Sequence, residues 1–289
     1  MKILLLGKNG QVGWELQRTL APLGELLAFG RRELDLADLQ AIRQVIRKVN
    51  PDLIVNAAAY TAVDQAEKEP ELAMTVNGIA PGIIAGEAAR SSAALIHYST
   101  DYVFDGKKSE PYTEEDAPNP LGVYGKTKLA GEEAIRQAGV PHLILRTGWV
   151  YGLRGRNFLL TMQRLASERA ELAIVNDQHG APTWCRQIAE ATALLIARQP
   201  FKKPGLDGTY HLSAAGETTW FGFAEAIFEQ GEPEKSGRPL LKAIDTKDYP
   251  TPAPRPPYSV LDNSPVREKF AIALPGWYQQ LQLALDQGK

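Results

Sequence analysis

The chain has 289 residues, a formal net charge of −2, and 44% hydrophobic against 23% charged residues, the make-up of a soluble globular protein of one large domain or two joined ones. So even a charge balance gives no electrostatic grip on nucleic acid or an anionic membrane, and neither is expected as a partner. One cysteine, Cys185, and four scattered histidines without zinc spacing exclude an internal disulfide and structural zinc, and suit a reducing compartment.

The opening "MKILLLGKNG" has an apolar run that stops at Gly7, too short for a signal segment or a membrane span. No later run reaches that length, so a cytoplasmic protein is expected. Lys2–Gly7 reads as a buried strand, and "QVGWELQRTLAPL" carries helical spacing at Val12, Leu16 and Leu20. Then come a strand at Glu25–Gly30, a helix over Asp38–Val49, a strand at Asp52–Ala59, a helix over about Pro70–Arg90 and a strand at Ala94–Thr100. A helix containing Tyr124 and a strand at His142–Thr147 follow. Continuous apolar strands separated by helices predict an α/β, Rossmann-type doubly wound parallel sheet.

After Thr147 the rhythm is irregular: a helix over Asn157–Ser167, a strand "ELAIV", a helix near Ile188–Ala197, a strand "TYHLS", and a closing helix from Trp277 to Asp286. Between these, "YPTPAPRPPYS" (Tyr249–Ser259) holds five prolines and reads as a loop packed on a small second domain. The expected division is residues 1–148 for a dinucleotide domain and 149–289 for a smaller C-terminal α/β substrate-binding domain, with a helix at about 184–199 packing back on the first.

"GKNGQVG" sets Gly7, Gly10 and Gly13 at the first strand-to-helix turn, where glycine lets backbone approach a pyrophosphate and the helix starting at Gln11 aims its N–H groups at it. The second strand ends in Gly30-Arg31-Arg32 rather than an acidic residue, which favours the 2′-phosphate of NADPH. Asp35 lies near the adenosine end or starts the next helix. Asp64 and Glu67 have capping-box spacing. The fourth strand delivers Ser99, Thr100 and Asp101 to the carboxyl edge of the sheet. Tyr124 and Lys128, four residues apart in "VYGKTKLAGEEA", share one helix face. Glycine turn, hydroxyl and Tyr-x-x-x-Lys in this order form one catalytic constellation.

Gly7, Gly10 and Gly13 with Thr100, Tyr124 and Lys128 resemble the extended short-chain dehydrogenase/reductases. "GKNGQVGWEL", "NAAAYTAVD", "HYSTDYVFDG", "YGKTKLAGE", "RTGWVYG", "NFLLTM", "NDQHGAPT" and "YPTPAPRP" are closer still to the nucleotide-sugar reductases among them. The resemblance implies that NADPH or NADH reduces the C4 keto group of dTDP-4-dehydro-L-rhamnose to dTDP-L-rhamnose. In that scheme Tyr124 is the proton donor, Lys128 lowers its pKa and holds the cofactor ribose, and Thr100 orients the keto oxygen. It also implies Gly10, Gln11 and Val12 at the phosphates, Asp35 and Leu36 at adenosine, and Ala59, Tyr60 and Thr61 along the cofactor. Thr100, Asp101 and Trp149 fall at the substrate. Arg255, in the proline stretch, is our own assignment to the dTDP diphosphate. Some members form homodimers around Mg²⁺ held by two glutamates; Glu15 matches the first, but Arg186 stands where the second aligns. Two other readings of this fold are a regulatory subunit that binds NADP without catalysis and a nucleotide-sugar epimerase or dehydratase. The intact Thr100/Tyr124/Lys128 set opposes the first.

Overall fold

The computed structural model describes residues 1–198, 201, 207–231 and 238–286. Six parallel strands form the central sheet in the order Gly208–His211, His142–Thr147, Ala94–Thr100, Leu53–Asn56, Lys2–Leu6, Glu25–Phe29. Alternate residues of the first strand serve opposite faces, as the pleat requires. Ile3 and Leu5 pack with Leu16, Leu20, Ile188 and Leu195, while Leu4 and Leu6 pack with Ile42, Ile46, Ile84 and Ala88. The helices Gln11–Leu20 and Cys185–Ala197 cover one face, and Leu39–Val49, Ala80–Arg90 and Val123–Gln137 cover the other. This is the doubly wound α/β fold.

The strand order reverses between Lys2–Leu6 and Leu53–Asn56. The crossovers leaving these two strands go opposite ways, which opens a crevice at their carboxyl ends.

A smaller lobe holds the parallel pair Glu171–Val175 and Leu240–Ile244 and the helices Phe158–Glu168, Trp220–Gln230 and Trp277–Asp286. Its own core joins Tyr151, Leu159, Phe223, Ile227 and Leu281.

Several expectations change. "TYHLS" becomes Gly208–His211, which extends the central sheet beside His142–Thr147; strand pairing of such sequence separation leaves no mark in the local pattern. The helix expected at about 184–199 runs from Cys185 to Ala197 against Gln11–Leu20, and residue 199 lies outside the described residues. The third strand stops at Asn56, and Ala57–Tyr60 continue as irregular chain. The proline stretch is not confined to the small lobe. His179 N donates to Pro257 O (2.8 Å) on that side, while Ala253 N donates to Asp64 (3.2 Å) on the other. Pro70–Arg90, broken by a π-helical turn at Thr75–Ile79, does have the length and hydropathy of a membrane span, contrary to expectation. Half of it is buried within the protein, with Ala80, Ile84 and Ala88 in the core.

Candidate active site

A cavity of about 710 Å³ lies in the crevice, running from the glycine turn to the start of the Trp220 helix. At its floor Gly7 has φ +88°, and a Cβ there would sit 2.6 Å from Ala58 N. A Cβ on Gly13 would fall 2.0 Å from Gly7 O, so this glycine sets the close approach of helix to turn. Gly7, Gly10, Gln11 and Val12 line the cavity, whereas Gly13 lies behind them. The helix Gln11–Leu20 begins on Gly10 with no side chain capping it, leaving its first N–H groups and dipole to an anion. The Gln11 side-chain amide donates to Val150 O (3.4 Å) and accepts from Asn157 Nδ2 (2.8 Å).

Arg31 lines the far rim and pairs with Asp35 at 3.1 Å. Asp35, held below the usual carboxylate range first by the Ala37 N–H and then by Arg31, and Leu36 also line it. The next helix is capped by Asp38, which accepts from Gln40 and Ala41 N, so Asp35 does not start it. Arg32 is exposed and off the cavity wall, so only one of the two arginines expected at a 2′-phosphate stands there. Ala59, Tyr60 and Thr61 form one wall. Asn77, in the π-helical turn, clamps Tyr60 through both its backbone N–H (2.8 Å) and carbonyl (3.0 Å).

Asp64 and Glu67 do not make a capping box; Ala62 starts that short helix without a side-chain cap. Glu67 instead accepts from Val123 N at 2.8 Å, capping the helix that bears Tyr124. Asp64 pairs with Arg255 at 2.8 Å. Spacing suggested a local partner, and distant segments supplied better ones.

Thr100, at the end of its strand, is buried; its hydroxyl donates to Asp101 (3.0 Å) and accepts from Tyr102 N (3.1 Å). Tyr124 stands one turn before Lys128, edge-on to Tyr102 with ring centroids 5.8 Å apart. A Cβ on Gly125 would meet Tyr102 O at 2.1 Å, so glycine here lets the helix press Tyr124 against the strand end. Thr100, Asp101, Tyr124 and Lys128 all line the cavity. Burial pushes the Tyr124 phenol up to about 12, against a hydrogen bond with Thr100. The Lys128 charge does not offset this rise. Lys128 is 2% exposed, directs Nζ to Tyr98 O (2.6 Å) and His97 Nε2 (3.1 Å), and is itself brought down to about 8 by burial. Burial raises Asp101 to about 6, against the pull of the Ser259 and Thr100 hydroxyls.

The opposite wall is aromatic. Trp149, at φ +48°, stacks on Trp220 with centroids 3.5 Å apart and planes 1° off parallel. Trp220 donates Nε1–H to Gln178 (3.1 Å), and both tryptophans face the cavity with Arg156. Trp220 and Arg156 escaped the sequence reading; the one available signal was Thr219, which caps the Trp220 helix through Gly222 N (3.0 Å). Arg255 is not on the cavity wall. It is 17% exposed, bonded to Asp64, and lies 5.9 Å from the Tyr102 ring centroid. Among the described residues no three Asp, Glu, His or Cys gather as metal ligands. Arg186 pairs with Glu190 at 3.0 Å. Cys185 is packed and inert, its thiol raised to about 12 by burial.

A dinucleotide suits this donor set: a cradle that side chains at Gly7 and Gly13 would fill, an uncapped helix start, and a cation at the far rim. The model of the RmlD substrate binding domain family matches residues 1–289. The dTDP-4-dehydrorhamnose reductase of Escherichia coli (strain K12) is 49% identical over 295 residues, covering 99% of this chain and 98% of that protein. A crystal structure of a dTDP-4-dehydrorhamnose reductase from Clostridium acetobutylicum superposes with TM-score 0.92 at 35% identity over 99% of each chain. That of the Bacillus anthracis dTDP-4-dehydrorhamnose reductase in complex with NADP gives 0.90 at 34% identity, over 99% of this chain and 100% of that one.

Proposed function

The chain belongs to the RmlD substrate binding domain family, and from that membership and the site's geometry we propose that it reduces the C4 keto group of dTDP-4-dehydro-L-rhamnose to dTDP-L-rhamnose. The observation that carries the reading is the meeting of Thr100, Tyr124 and Lys128 on the wall of the same cavity that begins at the glycine turn. NADPH bound there supplies the hydride. Gly7, Gly10, Gln11 and Val12 would hold its phosphates, Ala59–Thr61 its flank, and Asp35 with Leu36 its adenosine. Arg31 supports NADPH over NADH.

The protein's own contribution is protonation and orientation. Tyr124 gives its phenolic proton to the oxygen of the former ketone. Thr100 fixes that oxygen by turning to it the hydroxyl proton that Asp101 holds in the chain alone. A charged Lys128 one helical turn away favours the tyrosinate left behind. Residues 1–148 serve the cofactor in this reading, and 149–289 mainly the sugar nucleotide, with the Trp149–Trp220 stack a flat wall for it. The reading entails a cytoplasmic enzyme of a small nucleotide sugar, needing neither nucleic acid nor membrane. A homodimer is compatible with it, but the Arg186 guanidinium opposes a Mg²⁺ bridge. The test is NADPH oxidation with dTDP-4-dehydrorhamnose compared with UDP- and GDP-linked ketosugars. Turnover with the dTDP sugar supports the reading, and NADPH binding without turnover of any ketosugar would overturn it.

A further inference from the structure

His97 lies in the fourth strand, 1% exposed, with a hydrogen-bonding neighbour at each ring nitrogen. Nε2 is 3.1 Å from Lys128 Nζ, and Nδ1 is 3.1 Å from Asn56 Nδ2. Burial, and then the Lys128 charge, hold the imidazole neutral far below its usual pKa, so it carries one proton on one nitrogen.

The two neighbours compete for the same role. Asn56 Oδ1 accepts from Ala58 N at 3.1 Å, which turns the amide NH₂ toward Nδ1 and makes Nδ1 an acceptor. The proton is then on Nε2 and faces Lys128, which can receive it only as a neutral amine, since an ammonium has no acceptor. A charged Lys128 needs the other tautomer, with the proton on Nδ1. That tautomer suits Asn56 only if its amide turns over and releases Ala58, one of the residues lining the cavity.

We propose that Asn56 and His97 are positioning residues that tie the charge of Lys128 to the grip on the cofactor-lining Ala58, through a two-state imidazole tautomer. Charging the site takes up one proton, at Lys128 Nζ. The imidazole gains none: its single proton is on Nε2 in one state and on Nδ1 in the other. Of the other ionisable groups, Glu132 on its own helix acts on Lys128, while Tyr124 and Asp101 share the cavity wall with it. Glu132 favours the charged form. The inference rests on the proposed reductase reading only for the use made of Lys128; the tautomer itself does not.

The test is ¹⁵N NMR of histidine-labelled protein without cofactor or sugar, the chain's four histidines being assigned by substitution. Between about pH 9.5 and 6.5, a range spanning the Lys128 titration near 8, His97 should pass from Nε2–H to Nδ1–H without becoming imidazolium. Lys128→Met should abolish that change and keep Nε2–H throughout. Asn56→Asp, which presents an oxygen to Nδ1 and still accepts from Ala58, should give Nδ1–H at every pH. A single tautomer across the range in the wild type, an unaltered switch in Lys128→Met, or Nε2–H persisting in Asn56→Asp would each overturn the proposal. Reductase assays run separately leave these outcomes standing if the substrate assignment fails.

Discussion

Glu132 and Lys128 lie one turn apart on the Val123–Gln137 helix and are both almost wholly buried, at 0% and 2% exposure, yet they are treated oppositely. Arg146 grips Glu132 through two bonds, 2.9 and 2.7 Å, and Arg136 adds a third at 3.2 Å. Burial alone would raise the Glu132 pKa, but these bonds win and hold it below the usual carboxylate range. Lys128 has no carboxylate at bonding distance among the described residues, only a carbonyl and an imidazole, and burial draws it down to about 8. Full pairing turns a buried charge into a strut that holds one state. Partial pairing leaves a buried charge poised to change state, as proton chemistry requires.

The comparison can be broken at four points. The largest effect is expected at Tyr124, beside the poised group. Tyr124→Phe removes only the hydroxyl, so kcat should fall by about 10²–10⁴-fold while fluorescence titration shows NADPH binding nearly unchanged; near-normal turnover would make the pair helix decoration. Next comes the strut. Arg146→Met leaves Glu132 buried without its bidentate partner and should cost about 3–5 kcal/mol in urea denaturation, whereas Lys128→Met, which strands no charge, should cost far less. Equal losses would erase the distinction.

Asp101 supplies a pH test. Its folded pKa, about 6, lies above the unfolded 3.8, so its contribution favours the fold at low pH and is lost as pH rises from about 4 to 6. Asp101→Asn should therefore gain on the wild type by a few kcal/mol, of the order of two pKa units, in denaturation at pH 8 relative to pH 4. A constant difference between the two proteins would count against a strained carboxylate. The smallest effect is at the rim: Arg31→Ala should raise KM for NADPH by on the order of tenfold and leave NADH nearly unaffected. Arg32→Ala, off the wall, should change neither; matched effects of the two substitutions would return both arginines to the cofactor.

What could be read in advance follows from how local each signal was. Ala94–Thr100 and His142–Thr147 match their expected bounds because a strand buried on both faces is a continuous apolar run. The helix Trp220–Gln230 was missed because "WFGFAEAIF" is apolar nearly all round and shows no period. In the site, the glycine turn, Thr100, Tyr124 and Lys128 were legible from their types and order. Asp64, Glu67 and Arg255 were not, since Asp64 meets Arg255 from 191 positions away and no spacing rule reports such a partner. The competition at His97 was equally hidden: it exists only once Asn56, His97 and Lys128 arrive together from two strands and a helix.

The return of the chain to its first sheet carries a consequence for how it is made. It leaves the sheet at Thr147, builds part of the small lobe, and comes back at Gly208, with Cys185–Ala197 laid over Leu16 and Leu20 on the way. During synthesis, then, the five strands that emerge first have one apolar face covered by Gln11–Leu20 alone and a bare edge at His142–Thr147 until much later residues arrive. Such long-separation contacts slow folding, and an unprotected edge is where nascent chains pair with one another. A fragment ending at residue 148 would keep that bare edge and part-covered face, and is expected to aggregate when it is expressed without the rest of the chain.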